Sequence, residues 1–232
     1  MNRPLALALF LVVLVSPLAA QDEMTIVLHF TPDRENGRQV YDICARCHLP
    51  EAWGTEDGTY PQLAGQHRGV LLKQLLDIRE GRRRSPLMRP FVQPRILGGY
   101  QNLVDVVTYI QQLPMNPAHG KGPWPAPTRE YTQGQQLYQD NCAACHGSQG
   151  EGNDERRIPR LQGQHYAYMR RQAIAAKRGL RQVDPGMSAV IRRLSDEQLA
   201  LALNYVSRIA VPKQDLAPSV SWRNPDFSEV KQ

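Results

Sequence analysis

The sequence predicts an all-α fold made of two tandem copies of one domain. Three observations carry that prediction. The pentapeptide C-x-x-C-H occurs twice, as Cys44-Ala45-Arg46-Cys47-His48 and Cys142-Ala143-Ala144-Cys145-His146, 98 residues apart. The similarity continues well beyond the pentapeptides at nearly the same offset. Apolar residues recur at helical spacing in both copies, as Leu103, Val107, Ile110 and Leu113 and as Leu199, Leu203, Val206 and Ala210.

Each copy reads as three main helices. The first, at residues 35–45 and 130–144, carries the pentapeptide at its end. The second, at 67–80 and 165–178, is stopped by Gly81 or Gly179, where a helix C-terminus favours a left-handed residue. The third covers 101–113 and 196–209, and the latter opens on a capping box, Ser195 with Gln198 three residues on. Val106-Val107-Thr108-Tyr109 alone would fit a strand, but its partner in the second copy assigns it to a helix.

The repeat extends over Tyr60-Pro61-Gln62-Leu63-Ala64-Gly65-Gln66-His67, which falls on Ile158-Pro159-Arg160-Leu161-Gln162-Gly163-Gln164-His165. Gly37 and Tyr41 match Gly134 and Tyr138, and Met88 matches Met187. A period near a hundred residues means a duplicated domain, because solenoid units run about 20–50 residues. The copies are placed at 34–113 and 129–211, joined by a Pro/Gly-rich linker at 114–128 that should run extended across the surface. An N-terminal extension at 21–33 and an irregular tail at 212–232 flank them.

Residues 1–20 have the pattern of a secretory signal: Arg3, an apolar stretch at 5–15, then Ser16-Pro17-Leu18-Ala19-Ala20. The apolar stretch is shorter than the roughly 20 residues that span a bilayer, so cleavage is expected rather than an anchor. The formal charge of +6 comes largely from arginine pairs such as Arg156-Arg157 and Arg192-Arg193. Solvated helix faces account for these, with docking to an acidic partner second. No nucleic-acid motif is present, so no nucleic-acid partner is expected.

The pentapeptides use all four cysteines. Two thiols three positions apart can bond the two vinyl groups of one haem, with the adjacent histidine beneath the ring as an axial iron ligand. A zinc ribbon would separate its cysteine pairs by roughly 15–20 residues, whereas 94 residues lie between Cys47 and Cys142. A thioredoxin-like pair would accompany a βαβ pattern, which is missing, and disulfides would not require the histidines. Two covalent haems c are therefore expected, one on Cys44 and Cys47 with His48 as ligand, the other on Cys142 and Cys145 with His146. Export suits this chemistry, since c-type haem is attached outside the cytoplasm.

The other axial position decides between electron transfer and reaction chemistry. Met88 lies 40 residues after His48 and Met187 lies 41 after His146, each in a proline-containing loop able to cross the far face of a haem. This matched placement favours the methionines. His67 and His165 are the rival pair. Met24, Met115 and Met169 lack a methionine partner and read as packing or loop residues; His29 and His119 lack counterparts and are expected to be exposed.

The segments Tyr60–His67, Leu71-Leu72-Lys73-Gln74-Leu75, Gly81 and Met88, with Pro159–His165, Gly179, Met187 and Leu194–Gln198 repeating the pattern, resemble the diheme cytochrome c4 family. The resemblance spans about residues 37–209. It implies two tandem class I cytochrome c domains related by pseudo-twofold symmetry, each with a His/Met haem. It further implies that the Pro61 or Pro159 carbonyl accepts a bond from the axial histidine, which would fix the ring's tautomer and orientation. First and last helices should cross, with Gly37 and Tyr41 on Tyr109 and Gly134 and Tyr138 on Tyr205. The first copy departs from the pattern, with Gly98-Gly99-Tyr100 in place of the Ser-Asp cap and three extra residues between Met88 and Tyr109.

The function expected is that of an electron carrier in the periplasm, not an enzyme. Its donor would be a quinol-oxidising complex or a periplasmic dehydrogenase, and its acceptor a terminal oxidase or similar complex at the membrane surface. The alternative is a haem c subunit of a periplasmic dehydrogenase oxidising sulfide or thiosulfate. A haem enzyme would need an open haem face, and two methionine ligands argue against one.

Overall fold

The computed structural model describes residues 23–227; the expected signal segment at 1–20 lies outside them. The first copy contains α1 (Glu23–Leu28), α2 (Arg34–His48), α3 (Arg68–Arg79), α4 (Pro94–Leu97) and α5 (Tyr100–Gln111). The second contains α6 (Arg129–Asn141), α7 (Ala143–His146), α8 (Tyr166–Lys177), α9 (Pro185–Arg193) and α10 (Asp196–Val206). Short 3₁₀ turns follow at Lys213–Asp215 and Pro225–Phe227. Among the described residues β-pairing is confined to isolated bridges.

Local chemistry sets the helix ends. Asp33 accepts bonds from the Glu35 and Asn36 amides and starts α2. Ser195 and Gln198 form both bonds of the expected capping box on α10, at 2.9 and 3.0 Å. After α3 and α8, Gly81 and Gly179 take φ of 79° and 72°, a left-handed backbone that costs glycine little.

In each copy the first and last helices cross, α2 on α5 and α6 on α10. A Cβ on Gly37 would lie 2.2 Å from the Asp105 carbonyl oxygen, and one on Gly134 2.2 Å from that of Leu201. Glycine therefore sets how closely the two backbones approach. Beside the crossings, Tyr41 stacks at a tilt on Tyr109 at 5.5 Å and Tyr138 on Tyr205 at 5.6 Å. The first core continues through Leu72, Leu76, Leu103 and Val107 and takes in Met24 and Val27 of α1. The second is built on Met169, Ala202, Val206 and Ile209, with a satellite of Ala176, Ile191, Leu194 and Leu199.

The structure differs from the sequence reading at four places. Helix α2 runs unbroken through His48, whereas Cys142 (φ −120°, ψ −38°) interrupts its counterpart, so α6 and α7 are separate. Met187 lies in a helix rather than a loop: Asp184 accepts from the Gly186 amide and Pro185 occupies the first turn, which together start α9. The linker is not wholly at the surface, because His119, Gly120 and Gly122 are buried. Finally, the described part of the tail, as far as Phe227, is a strap laid over the first domain. Trp222 packs on Trp53 at 5.8 Å, Phe227 meets Tyr41 edge-on at 5.9 Å, and Asn224 donates to the Pro50 carbonyl and the Tyr109 hydroxyl.

The domains meet through reciprocal hydrogen bonds that make the pseudo-twofold explicit. The Gln66 carboxamide clasps the Arg160 peptide, accepting from its N–H at 3.0 Å and donating to its carbonyl at 2.9 Å. Gln164 does the same to the Gln62 peptide, at 3.0 and 2.8 Å. The Arg84 amide donates to Leu180 and the Gln182 amide to Arg82, closing a short antiparallel bridge on the same axis.

Candidate functional site

Each pentapeptide histidine is delivered by the end of the first helix into a tight following loop. Gly54 and Gly152, at φ of 66° and 71°, fold that loop back: their amides donate to the carbonyls of His48 and His146, at 3.1 and 2.8 Å. Built Cβ atoms there would lie 2.5 and 2.6 Å from the Pro61 and Pro159 carbonyl carbons. These turns bring each proline carbonyl opposite an imidazole. His48 Nδ1 lies 3.2 Å from the Pro61 oxygen, and His146 Nδ1 lies 3.1 Å from that of Pro159. Tyr41 and Tyr138 brace the same turns by donating to the Leu49 and Gly147 carbonyls, at 2.8 and 2.7 Å.

Both histidines are buried. Burial lowers the His48 pKa to about 4 against the opposing Pro61 bond, and it lowers that of His146 in the same way. A neutral imidazole donating from Nδ1 leaves the Nε2 lone pair as its ligating group, and neither Nε2 has a protein partner among the described residues. None of the four cysteines is paired in a disulfide. Burial pushes the Cys44 thiol up to about 12 and Cys142 to about 11, so before haem attachment either thiol would stay protonated. Among the described residues no cluster of three or more His, Cys, Asp or Glu side chains forms a cage for a bare metal ion. Paired thiols beside a buried imidazole with a free nitrogen suit a haem, which brings its own iron and its own vinyl groups.

Met88 lies half-buried in the run of turns before α4, its carbonyl accepting from Phe91 and Val92. Met187 is half-buried at the start of α9 and packs on the Ile191–Leu194 satellite core. The rival histidines face elsewhere. His165 is buried with both nitrogens taken: Nε2 donates to the Trp53 carbonyl at 2.7 Å and Nδ1 accepts from the Gly120 amide at 2.9 Å. His67 Nε2 reaches the Glu151 carbonyl at 2.8 Å. Trp53 and Glu151 are equivalent positions of the two copies, so these histidines are matched rivets between domains. His119 is also buried, contrary to expectation, with Nε2 on the Ser207 carbonyl at 2.8 Å. His29 is exposed, as expected.

The family model for cytochrome c matches residues 34–114 and 131–210. The chain belongs to the cytochrome c family. Cytochrome c4 of Thiocapsa roseopersicina is 29% identical, the match covering 72% of this chain and 88% of that protein. A thiosulfate dehydrogenase electron acceptor of Thiomonas intermedia is 30% identical over 77% of this chain and 81% of its own. Among solved structures, reduced recombinant cytochrome c4 from Pseudomonas stutzeri superposes with a TM-score of 0.65 at 28% identity, covering 78% of this chain and all of that one. The resemblance to the cytochrome c4 family and the tandem all-α architecture are thus borne out. Each matched region contains one pentapeptide, and the two cytochrome c domains carry two covalently bound haems c. The chain is a diheme electron-transfer protein.

The interface rivets and the strap were the functional parts not read from sequence. The signal for the rivets was there: Gly-Gln-His recurs in both copies at the head of the second helix.

Proposed function

We propose that the chain is a periplasmic carrier of single electrons, passing them from a quinol-oxidising complex or a dehydrogenase to a terminal oxidase or similar acceptor. In this reading Cys44 and Cys47 tether one haem and Cys142 and Cys145 the other. His48 and Met88 are the axial ligands of the first iron, His146 and Met187 those of the second. The observation that carries the reading is the matched pair of His48–Pro61 and His146–Pro159 hydrogen bonds. A bound haem iron supplies one-electron chemistry by alternating between ferrous and ferric states. The protein's part is to hold that change to a minimum of motion. The Pro61 and Pro159 carbonyls fix each Nδ1–H and so aim Nε2. Burial keeps water from the imidazoles, and thioether sulfur on the opposite side favours the reduced state. With Met88 and Met187 as ligands, neither iron would keep an open position for a substrate, which supports a carrier over an enzyme.

The test is optical and magnetic spectroscopy of the ferric protein. Two low-spin haems with a methionine-to-iron charge-transfer band are expected, and a high-spin haem rejects the reading. Met187→Ala should let cyanide bind one iron and lower its potential; an unchanged spectrum excludes Met187 as a ligand.

A second reading, as the haem c acceptor attached to a thiosulfate dehydrogenase, is favoured by the 30% identical relative of that description. Co-purification of a catalytic polypeptide with the chain would select it.

A further inference from the structure

The loop that follows each pentapeptide histidine is built differently in the two copies. After His146 its left-handed positions are Gly147 and Gly150, at φ of 83° and 71°. At the equivalent places after His48 stand Leu49 and Ala52, at φ of 66° and 59°. Glycine adopts that backbone easily. A residue with a side chain does so at a cost on the order of 1–3 kcal/mol, and persists there only where its surroundings over-determine it. The first loop therefore needs a restraint that the second does not.

The C-terminal strap supplies one. Asn224 is 2% exposed, and its whole carboxamide is engaged. Oδ1 accepts from the Asp226 amide at 3.1 Å. The Nδ2 group donates to the Pro50 carbonyl at 2.7 Å and to the Tyr109 hydroxyl at 2.8 Å. That hydroxyl donates in turn to Asp226 Oδ2 at 3.0 Å, and Arg34 pairs with the same oxygen at 3.2 Å. Pro50 lies between the two strained residues, so the bond from Asn224 lands inside the strained turn. Tyr41 holds the adjacent Leu49 carbonyl, while Phe227 and Trp222 pack on Tyr41 and Trp53. In the second domain Tyr205 stands at the position of Tyr109, and among the described residues its hydroxyl carries no such chain.

We propose that Asn224 is a positioning residue for the axial histidine of the first haem alone. The strap clamps the Leu49–Ala52 turn and so holds His48 against the Pro61 carbonyl, a task that two glycines perform in the other loop. The two haems thereby differ in what fixes their ligand geometry, and the state of the strap is read at the first iron. Loosening the clamp admits water to a buried imidazole, which favours the ferric form. The inference rests on His48 as the axial ligand proposed above, and is independent of Met88, Met187 and the redox partners.

Asn224→Ala in the haem-loaded protein tests it, read by spectroelectrochemistry and by proton NMR of the ferrous form. One midpoint potential should fall while the other stays. The ring signals of His48 should shift while those of His146 do not. Equal shifts at both haems, or none, overturn the proposal. In a Leu49→Gly background, where φ near 66° needs no clamp, the same Asn224→Ala change should move the potential less; an undiminished shift also overturns it. Should Asn224→Ala fail to hold haem, Tyr109→Phe keeps the ring on Tyr41 and removes only the hydroxyl. It should lower the same potential, whereas Tyr205→Phe should move neither, and matching effects in the two domains refute the clamp. Failure of His48 ligation would appear separately, as a high-spin haem in the wild-type ferric spectrum.

Discussion

Gly134→Ala should destabilise the second domain, although alanine is the better helix former. Gly134 lies inside α6, where glycine-to-alanine ordinarily gains up to about 1 kcal/mol of helix propensity. Here the added Cβ would stand 2.2 Å from the Leu201 carbonyl oxygen and 2.8 Å from its carbon, against the 3.4 Å or more of ordinary contact. The obstacle is backbone of α10, which no rotamer change can clear, so the helices must part by about 1 Å and loosen the Tyr138–Tyr205 contact. Overpacking of this kind costs roughly 1–3 kcal/mol, which offsets the propensity gain and leaves a net loss of up to about 2 kcal/mol. For a domain of this size each kcal/mol moves Tm by about 4–8 °C, so a fall of up to about 15 °C is expected by far-UV circular dichroism of the haem-loaded protein. Gly99→Ala is the control: its Cβ would meet nothing within 4 Å, so it loses only the N-cap preference for glycine over alanine on α5, on the order of 1 kcal/mol or less. An unchanged or raised Tm in Gly134→Ala would refute the close-approach argument.

Truncation before Lys213 should lower the urea midpoint of the first domain by about 2–4 kcal/mol equivalent, because Trp222, Phe227 and the two Asn224 hydrogen bonds leave together; an unaltered midpoint would show the strap to be idle. Gln164→Ala strips both partners from the buried Gln62 peptide and should cost about 2–4 kcal/mol in equilibrium unfolding, while Gln164→Glu, which loses only the donor to the Gln62 carbonyl, should also weaken the interface. Acid should loosen the junction between domains. The pKa values of His165 and His119 are lowered mainly by burial, so below about 6.5 the unfolded chain takes up protons that the folded chain refuses. Stability is then full above that pH and declines as pH falls toward the depressed folded values; His165→Gln, which keeps one donor and one acceptor, should show a shallower decline, and an equal slope would exclude His165 as its source.

The duplication, the pentapeptides and the six main helices were legible because each rests on short-range chemistry. Cys-x-x-Cys-His, the Ser195–Gln198 box and the Gly81 and Gly179 stops all act within a few residues. Helix α9 was missed although its signal was present, since Asp184-Pro185 starts a helix as readily as it makes a turn. The strap could not be read at all. Nothing local to Trp222 or Asn224 indicates that their partners are Trp53, Pro50 and Tyr109, more than a hundred residues earlier. The same holds for His165, whose Trp53 and Gly120 partners lie on the other domain and the linker. In sequence it resembled a metal ligand because matched histidines in matched repeats fit either role.

The strap also gives the molecule an order of completion. A chain leaves the ribosome N-terminus first, and domains tend to fold as they emerge. Here the wall over Pro50, Trp53 and Tyr41 is made of residues near the other end. The half that is synthesised first is therefore sealed last, only once residues beyond the second domain are in place.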